Sequence, residues 1–258
     1  MNSAYISVEN VNYSYEKSHP ILKDITFTVY EHDCIGLIGA NGVGKSTLLK
    51  LMVGLDLGYE GNICIGGLPV VKKSLSKIRE KLGYVFQDAD SQLFMSHVYE
   101  DLAFAPRNYG LSESEVEKRV QKALEMVHIE HLKDKQIYKM SGGEKKLVSI
   151  ATILAMMPDA ILMDEPSVAL DPKNRRNLIH VLNGFKQLKI IASHDLDMIL
   201  DTCSRVILMS DGRIIRDGDA REILSDRELL EANGLELPFC LQGVFSKKIS
   251  LQFFSLEL

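Results

Sequence analysis

Between residues 5 and 29 apolar and polar positions alternate, as in Ile25, Phe27 and Val29, the period of an extended chain with one face in a core. The run Cys34–Ile38 is apolar throughout, which marks a strand buried on both faces, and it leads straight into glycines. Further short apolar runs at 63–65, 82–86, 160–163, 190–192 and 206–209 predict strands, most of them separated by helical stretches. Such alternation builds a layered α/β fold with a largely parallel sheet. From about Asp88 to Pro158 helical periodicity takes over: Ser112 and Glu115 form a capping box ahead of Val116, Val120, Leu124 and Val127. Asp171 followed by Pro172 marks another helix start, Asp211-Gly212 a hairpin turn, and two short helices follow Gly218. From Leu235 onward no period is readable.

The 258 residues, 46% hydrophobic and 25% charged, suffice for one substantial core with appended lobes. A formal net charge of -5 argues against general affinity for nucleic acid, which needs clustered cations. Cys34, Cys64, Cys203 and Cys240 lie far apart without a CxxC pair, so neither zinc nor a disulfide framework is expected, in keeping with a reducing cytoplasm. The longest apolar runs, 35–38 and 153–157, fall far below the ~18 residues of a membrane span. A soluble chain is expected, reaching a membrane only through a partner.

Residues 39–47, Gly-Ala-Asn-Gly-Val-Gly-Lys-Ser-Thr, fit G-x-x-x-x-G-K-[ST] between a buried strand and a helix, the context of a phosphate-binding P-loop. Its glycines let backbone N–H groups wrap phosphates, Lys45 supplies a cation to the β- and γ-phosphates of ATP, and Ser46 offers a hydroxyl to Mg²⁺. A second apolar run, 160–163, ends in Asp164 and Glu165, which belong beside the P-loop because ligands sit at the carboxyl ends of strands. There Asp164 would hold the Mg²⁺ shell and Glu165 would orient or deprotonate the attacking water. Ser141-Gly142-Gly143-Glu144 opens a helix with apolar Leu147, Ile150, Ala151 and Leu154, and small residues at a helix start make a second anion site.

The order P-loop, Gln87, Ser141 to Glu144, Asp164-Glu165, Asp171, His194 resembles an ABC ATPase cassette over roughly residues 5 to 220. The resemblance implies a P-loop NTPase core with an N-terminal antiparallel β subdomain and an inserted α-helical signature subdomain. Residues 1–88 and 159–220 would form the core, 89–158 the insertion, and 221–258 a C-terminal extension that steadies a dimer. It also implies two cassettes sandwiching two ATP molecules, so that Ser141, Gly142, Gly143 and Glu144 of one copy contact ATP held by Gly39, Asn41, Gly42, Gly44, Lys45, Ser46 and Thr47 of the other. Tyr15 would stack on adenine, with Tyr13 the near alternative. By the same likeness Gln87 joins Ser46 and Asp164 around Mg²⁺, His194 contacts the γ-phosphate and steadies Glu165, and Asp171 links the two sites. Catalysis then falls to Glu165, His194, Lys45 and Gln87.

Residues 87–95 and 100–111 are similar to energy-coupling-factor importers, especially the cobalt and nickel subgroup, which has Pro where Ala89 stands and Gly where Ala105 stands; residues 231–238 are similar to its C-terminal region. This implies an ATP-hydrolysing motor on the cytoplasmic face of the cell membrane, serving a transmembrane coupling protein and a substrate-binding membrane protein, with cobalt or nickel ion as cargo and biotin or another vitamin as the alternative. Complete half-sites in one chain imply a homodimer. A DNA-maintenance ATPase would carry long coiled-coil insertions, and a regulatory module would lack one of Lys45, Glu165 and His194. The acids Asp88, Asp90, Glu100 and Asp101 form an expected acidic rim for the membrane partner.

Overall fold

The alternating N-terminal stretch becomes two long antiparallel strands, β1 (Ile6–Glu16) and β2 (His19–Val29), in a computed structural model that describes residues 4–16 and 18–243. The apolar run β3 (Cys34–Ile38) leads through the glycine loop into α1 (Lys45–Met52), and β4 (Glu60–Ile65) and β5 (Leu68–Pro69) return to the first sheet. Next come α2 (Leu75–Lys81), β6 (Leu82–Val85) and the helical insertion of α3 (Val98–Asn108), α4 (Glu113–Met126) and α5 (Gly142–Ala155). The chain then alternates β7 (Ala160–Asp164), α6 (Pro172–Gly184), β8 (Leu188–Ala192), α7 (Leu196–Thr202), β9 (Arg205–Ser210) and β10 (Arg213–Asp219), followed by α8 (Ala220–Ser225) and α9 (Arg227–Ala232).

The expected α/β architecture is present. One sheet is antiparallel in the order β2-β1-β4-β5; the other runs β10-β9-β3-β8-β7-β6, parallel except for β10. Parallel strands covered on both faces alternate between two cores. Ile35, Leu37, Ala160, Leu162, Ile190 and Ile207 pack toward the antiparallel sheet and α1. Ile38, Ile161, Met163, Ile191, Val206 and Leu208 pack toward the helical insertion and α6–α8. The strand order aligns the carboxyl ends of β3, β8, β7 and β6, which lead into the P-loop, His194, Glu165 and Gln87 respectively. Asp211 and Gly212 both take positive φ (48° and 75°) in the β9–β10 turn, the conformation that a right-twisted hairpin favours.

Two expectations need correction. At α4 only half of the capping box forms: the Ser112 hydroxyl accepts from the Glu115 amide, but the Glu115 carboxylate pairs with Arg119 one turn on, at 3.0 Å. The boundary expected at 220/221 falls inside α8, and Ala220, Ile223, Leu224, Leu230 and Leu237 belong to the same core as the helical insertion. This segment is a layer of the domain and no appendage, because its apolar face has nowhere else to be buried. Asp197 on α7 accepts the amides of Phe239 and Cys240, fixing the chain past Pro238. Residues 244–258 of the expected extension lie outside the described residues.

β8 carries a buried charge. Lys189 on β8 is 5% exposed, donates to the carbonyls of Phe185 and Gln187, and has its pKa lowered by burial. The unfolded chain keeps this proton up to the ordinary lysine value of 10.5, so between the lowered folded value and 10.5 the unfolded state binds more protons and stability rises with pH. Urea unfolding of wild type and Lys189→Met should therefore show the wild type gaining on the variant as pH is raised above neutrality, by at most about 1.4 kcal/mol per pH unit. A difference that stays flat to pH 10 would remove this role.

Candidate active site

The P-loop backbone takes conformations that only glycine tolerates. Gly39 has φ 148° and a Cβ there would stand 2.3 Å from the Met209 carbonyl; Gly44 has φ 104° and would meet Leu22 at 2.6 Å. Gly44 is also the N-cap of α1 and provides no side-chain acceptor, so the first N–H groups of α1 are left for an anion. Lys45, 6% exposed, folds over the loop and donates to the carbonyls of Gly39 (2.7 Å) and Ala40 (3.2 Å). Burial lowers its pKa while Glu165 and Asp164 pull it back up. Gly42, Ser46, Thr47, Gln87, Glu165 and Tyr15 line a cavity of about 480 Å³ over this loop.

The carboxylates come from the neighbouring strand β7. Asp164 is 2% exposed beneath the cavity, accepting from the Ser46 hydroxyl at 2.9 Å and the Tyr84 hydroxyl at 3.3 Å. Burial raises its pKa, the Ser46 bond opposes this, and Glu165 adds to it. Glu165 sits at φ 46°, a left-handed conformation rare for a residue with a side chain, and is held there by its amide on the Ala192 carbonyl. Its Oε2 accepts from the Ser193 hydroxyl (3.1 Å) and the His194 amide (3.2 Å), and lies 2.8 Å from His194 Nδ1. With Oε2 so engaged, Oε1 is the oxygen left for a further donor. His194 does not line the P-loop cavity; it lines an adjacent one of about 810 Å³ with Ser167 and Asp195.

At the start of α5 the Ser141 hydroxyl accepts from the Glu144 amide and the Glu144 carboxylate from the Ser141 amide, a full capping box. Gly142 lines a third cavity, of about 280 Å³, which Gln87 shares. Lys146 of α5, 1% exposed, donates to the carbonyls of Phe86 (2.7 Å) and Gln87 (3.0 Å), and burial pushes its pKa down to about 8. Asp171 caps α6 through the Asn174 amide at 2.8 Å.

Residues 22–168 match the family model for ABC transporters. The chain belongs to the ABC transporter family. It is 44% identical over 94% of its length to a putative ABC transporter ATP-binding protein of Geobacter sulfurreducens, of which it covers 98%. It is 40% identical over 90% of its length to the energy-coupling factor transporter ATP-binding protein EcfA2 of Caldanaerobacter subterraneus subsp. tengcongensis, of which it covers 85%. It superposes with a TM-score of 0.79 at 36% identity on cbiO1 from Clostridium perfringens, described as part of the ABC transporter complex cbiONQ, covering 90% of this chain and 94% of that one. The chain is thus an ATP-binding, ATP-hydrolysing transport ATPase, and its expected resemblance to energy-coupling-factor ATPases is borne out.

In this ABC ATPase the two tyrosines separate. Tyr13 is 4% exposed and donates to Asp56 at 2.5 Å, whereas Tyr15 is 62% exposed, lines the P-loop cavity and lies 3.3 Å from the Thr47 hydroxyl. Glu144 is engaged within its own chain. Its oxygens accept from the Ser141 amide (2.8 Å) and from Lys135 (2.7 Å). Of the expected acidic rim, Asp88, Asp90 and Glu100 stay exposed and only Asp101 is corrected. Asp101 is buried, accepting the amides of Phe94 and Met95; Glu100 pairs with Arg107, Asp88 caps the turn after Gln87, and Asp90 pairs with Lys145. The surface there carries Phe94, 62% exposed and edge-on to Phe104 at 4.8 Å. Sequence reasoning missed Ser193, Tyr84, Gln92 and Lys146. Tyr84 was hidden in an apolar run, and a lysine on a helix reads as surface.

The donor set fits Mg²⁺ and ATP. The Ser46 hydroxyl and the Asp164 carboxylate converge as hard oxygens suited to Mg²⁺, and the uncapped start of α1 with Lys45 suits phosphate. Among the described residues no cluster of three or more His, Cys, Asp or Glu could hold a metal, and no helix is long and apolar enough to cross a membrane.

Proposed function

We propose that the chain is the homodimeric motor of an energy-coupling-factor importer, stationed on the cytoplasmic face of the cell membrane and powering uptake of cobalt or nickel ion. The observation that carries the dimer is that the described lining of the P-loop cavity includes nothing from 141–144, while Gly142 faces a separate cavity. One chain thus carries two half-sites, and a second copy would bring them together.

In this reading Gly39, Asn41, Gly42, Gly44 and Thr47 hold the phosphates by backbone and hydroxyl, and Lys45 leaves its carbonyls for the γ-phosphate. Ser46, Asp164 and Gln87 would hold Mg²⁺, which neutralises phosphate charge when bound. Glu165 orients and deprotonates water through Oε1, with Ser193 and His194 fixing its other oxygen. Ser141, Gly142 and Gly143 contribute hydroxyl and helix N–H groups from the second copy, and Asp171 lies in the segment joining the two sites. Phe94 and Phe104 would receive the transmembrane coupling protein, an apolar seat beside the exposed acids Asp88, Asp90 and Glu100. Cobalt or nickel rests on the similarity of residues 87–95 and 100–111 to that subgroup and on the likeness to cbiO1; biotin or another vitamin is the alternative.

Tyr15 stacks on adenine. Tyr15→Ala should raise KM for ATP about tenfold with unchanged thermal stability, whereas Tyr13→Ala should lower stability by about 3 kcal/mol. Equal effects of the two on KM would reject the assignment. The cargo is tested by purifying the chain with the small membrane proteins encoded beside it and measuring uptake into ATP-loaded vesicles. Accumulation of cobalt or nickel is expected; accumulation of biotin and not metal would redirect the cargo.

A further inference from the structure

The ladder between β6 and β7 ends at Val85 opposite Met163. From the next residue the main chain is held by α5 instead. The Phe86 amide donates to the Gln92 side-chain oxygen at 3.1 Å, and the same Gln92 donates through Nε2 to the Ser149 carbonyl (2.6 Å) and the Thr152 hydroxyl (2.8 Å). The Phe86 and Gln87 carbonyls both accept from Lys146. Three main-chain polar groups of the two residues leaving the sheet are thus bound by two side chains, one on α5 and one spanning back to it.

Helix packing does not require this arrangement. A fully buried ammonium loses its hydration, and an apolar side chain of similar length would fill the same space, leaving only the two carbonyls without their donor. What the ammonium adds is direction, because it binds only if α5 and the residue 86–87 carbonyls keep one relative placement. The N-terminus of α5 carries Ser141 and Gly142, five and four residues before Lys146. Gln87 lines the cavity on each side of this junction.

We propose that Lys146 and Gln92 are positioning residues that fasten the segment bearing Gln87 to α5, so that Gln87 moves with the Ser141–Gly142 end of that helix and not with the sheet it leaves. This rests on the ATPase reading for its kinetic consequence only. The clamp also reaches the surface: Phe94 follows Gln92 by two residues, and Asp101 of α3 holds the Phe94 and Met95 amides. A load on the Phe94–Phe104 pair is therefore transmitted to α5 and Gln87 together.

The test uses full-length protein carrying Lys146→Met, Lys146→Arg, Gln92→Leu or Lys146→Met with Gln92→Leu. Steady-state ATPase, thermal unfolding and amide exchange of residues 83–93 are measured on each. For Lys146→Met and Gln92→Leu a fall in kcat of about tenfold is expected, with KM for ATP within about twofold and a cooperative unfolding transition that stays well above the assay temperature. Lys146→Arg, which keeps charged donors, should recover most of kcat. The double variant should be no worse than the poorer single, since both act on one segment. Exchange of the Phe86 amide should accelerate about tenfold in Lys146→Met although that amide is bound by Gln92. Unchanged kcat in both single variants, additive losses, failure of Lys146→Arg to rescue, or unchanged exchange at Phe86 would each overturn the clamp. Should Lys146→Met fail to fold, Gln92→Leu carries the same comparison. Absence of turnover in wild type would count against the ATPase reading, and the exchange result would still decide the clamp.

Discussion

Glu165→Gln is expected to keep wild-type affinity for ATP and to lose turnover by about a thousandfold. Oε2 of Glu165 is fixed by Ser193 and His194, and a glutamine oxygen can accept the same donors, so the side chain stays in place. What changes is the atom facing water: an amide NH₂ replaces Oε1 and cannot take a proton, and general-base contributions run to ~10²–10⁴. Lys45, Ser46 and the α1 N–H groups are untouched, so nucleotide remains bound, and a dimer that closes on ATP without cleaving it should accumulate. ATPase assay beside size-exclusion chromatography with MgATP reads both halves. Near wild-type turnover, or a protein that never shifts to the dimer, would strip Glu165 of its role.

Gly142→Asp is expected to abolish turnover while leaving stability and single-chain ATP binding intact. A Cβ at Gly142 meets only Ala169, at 3.7 Å, and an aspartate in the first turn of a helix is favoured by the helix dipole, so the fold should tolerate it. Gly142 lies outside the P-loop cavity, so the nucleotide held there by the same chain does not sense the change. A γ-phosphate delivered by a second copy would meet a carboxylate where N–H groups should be, and turnover should fall by at least about a hundredfold. Thermal unfolding, nucleotide binding and steady-state ATPase together separate this from a folding defect. A variant with normal turnover would show that Gly142 takes no part.

The P-loop was legible because its glycines answer to backbone geometry: Gly39 and Gly44 occupy φ values that few other residues adopt, and that constraint is written in residue identity. Asp164 and Glu165 were legible as acids ending an apolar run, since β7 pairs with strands on both sides and must be apolar until it emerges. Helix capping was half legible. Ser112 and Glu115 carry the same spacing as Ser141 and Glu144, yet Arg119 draws Glu115 away, and Lys135, distant in local pattern, helps to hold Glu144 in place. Charge was the least legible property. Asp101 and Lys146 look like surface residues and are buried, because their partners are backbone groups of neighbouring loops that leave no trace in the hydrophobic pattern. Tyr13 and Tyr15 stand two residues apart on one strand, and only the fold, through the burial of Tyr13 and its bond to Asp56, tells which one is spent.

The composite site is tested most directly by mixing two inactive variants, Lys45→Ala and Gly142→Asp. If each site takes its P-loop from one copy and its Ser141–Gly143 segment from the other, a mixed dimer has one site with both lesions and one intact. Equimolar mixing should restore about one quarter of the wild-type rate, with activity peaking at equal proportions and vanishing toward either pure variant. Activity that stays at the floor at every ratio, with no ATP-dependent cross-link between the two copies, would contradict a site shared between them; a cross-link with no activity would show instead that the two sites are obligately coupled.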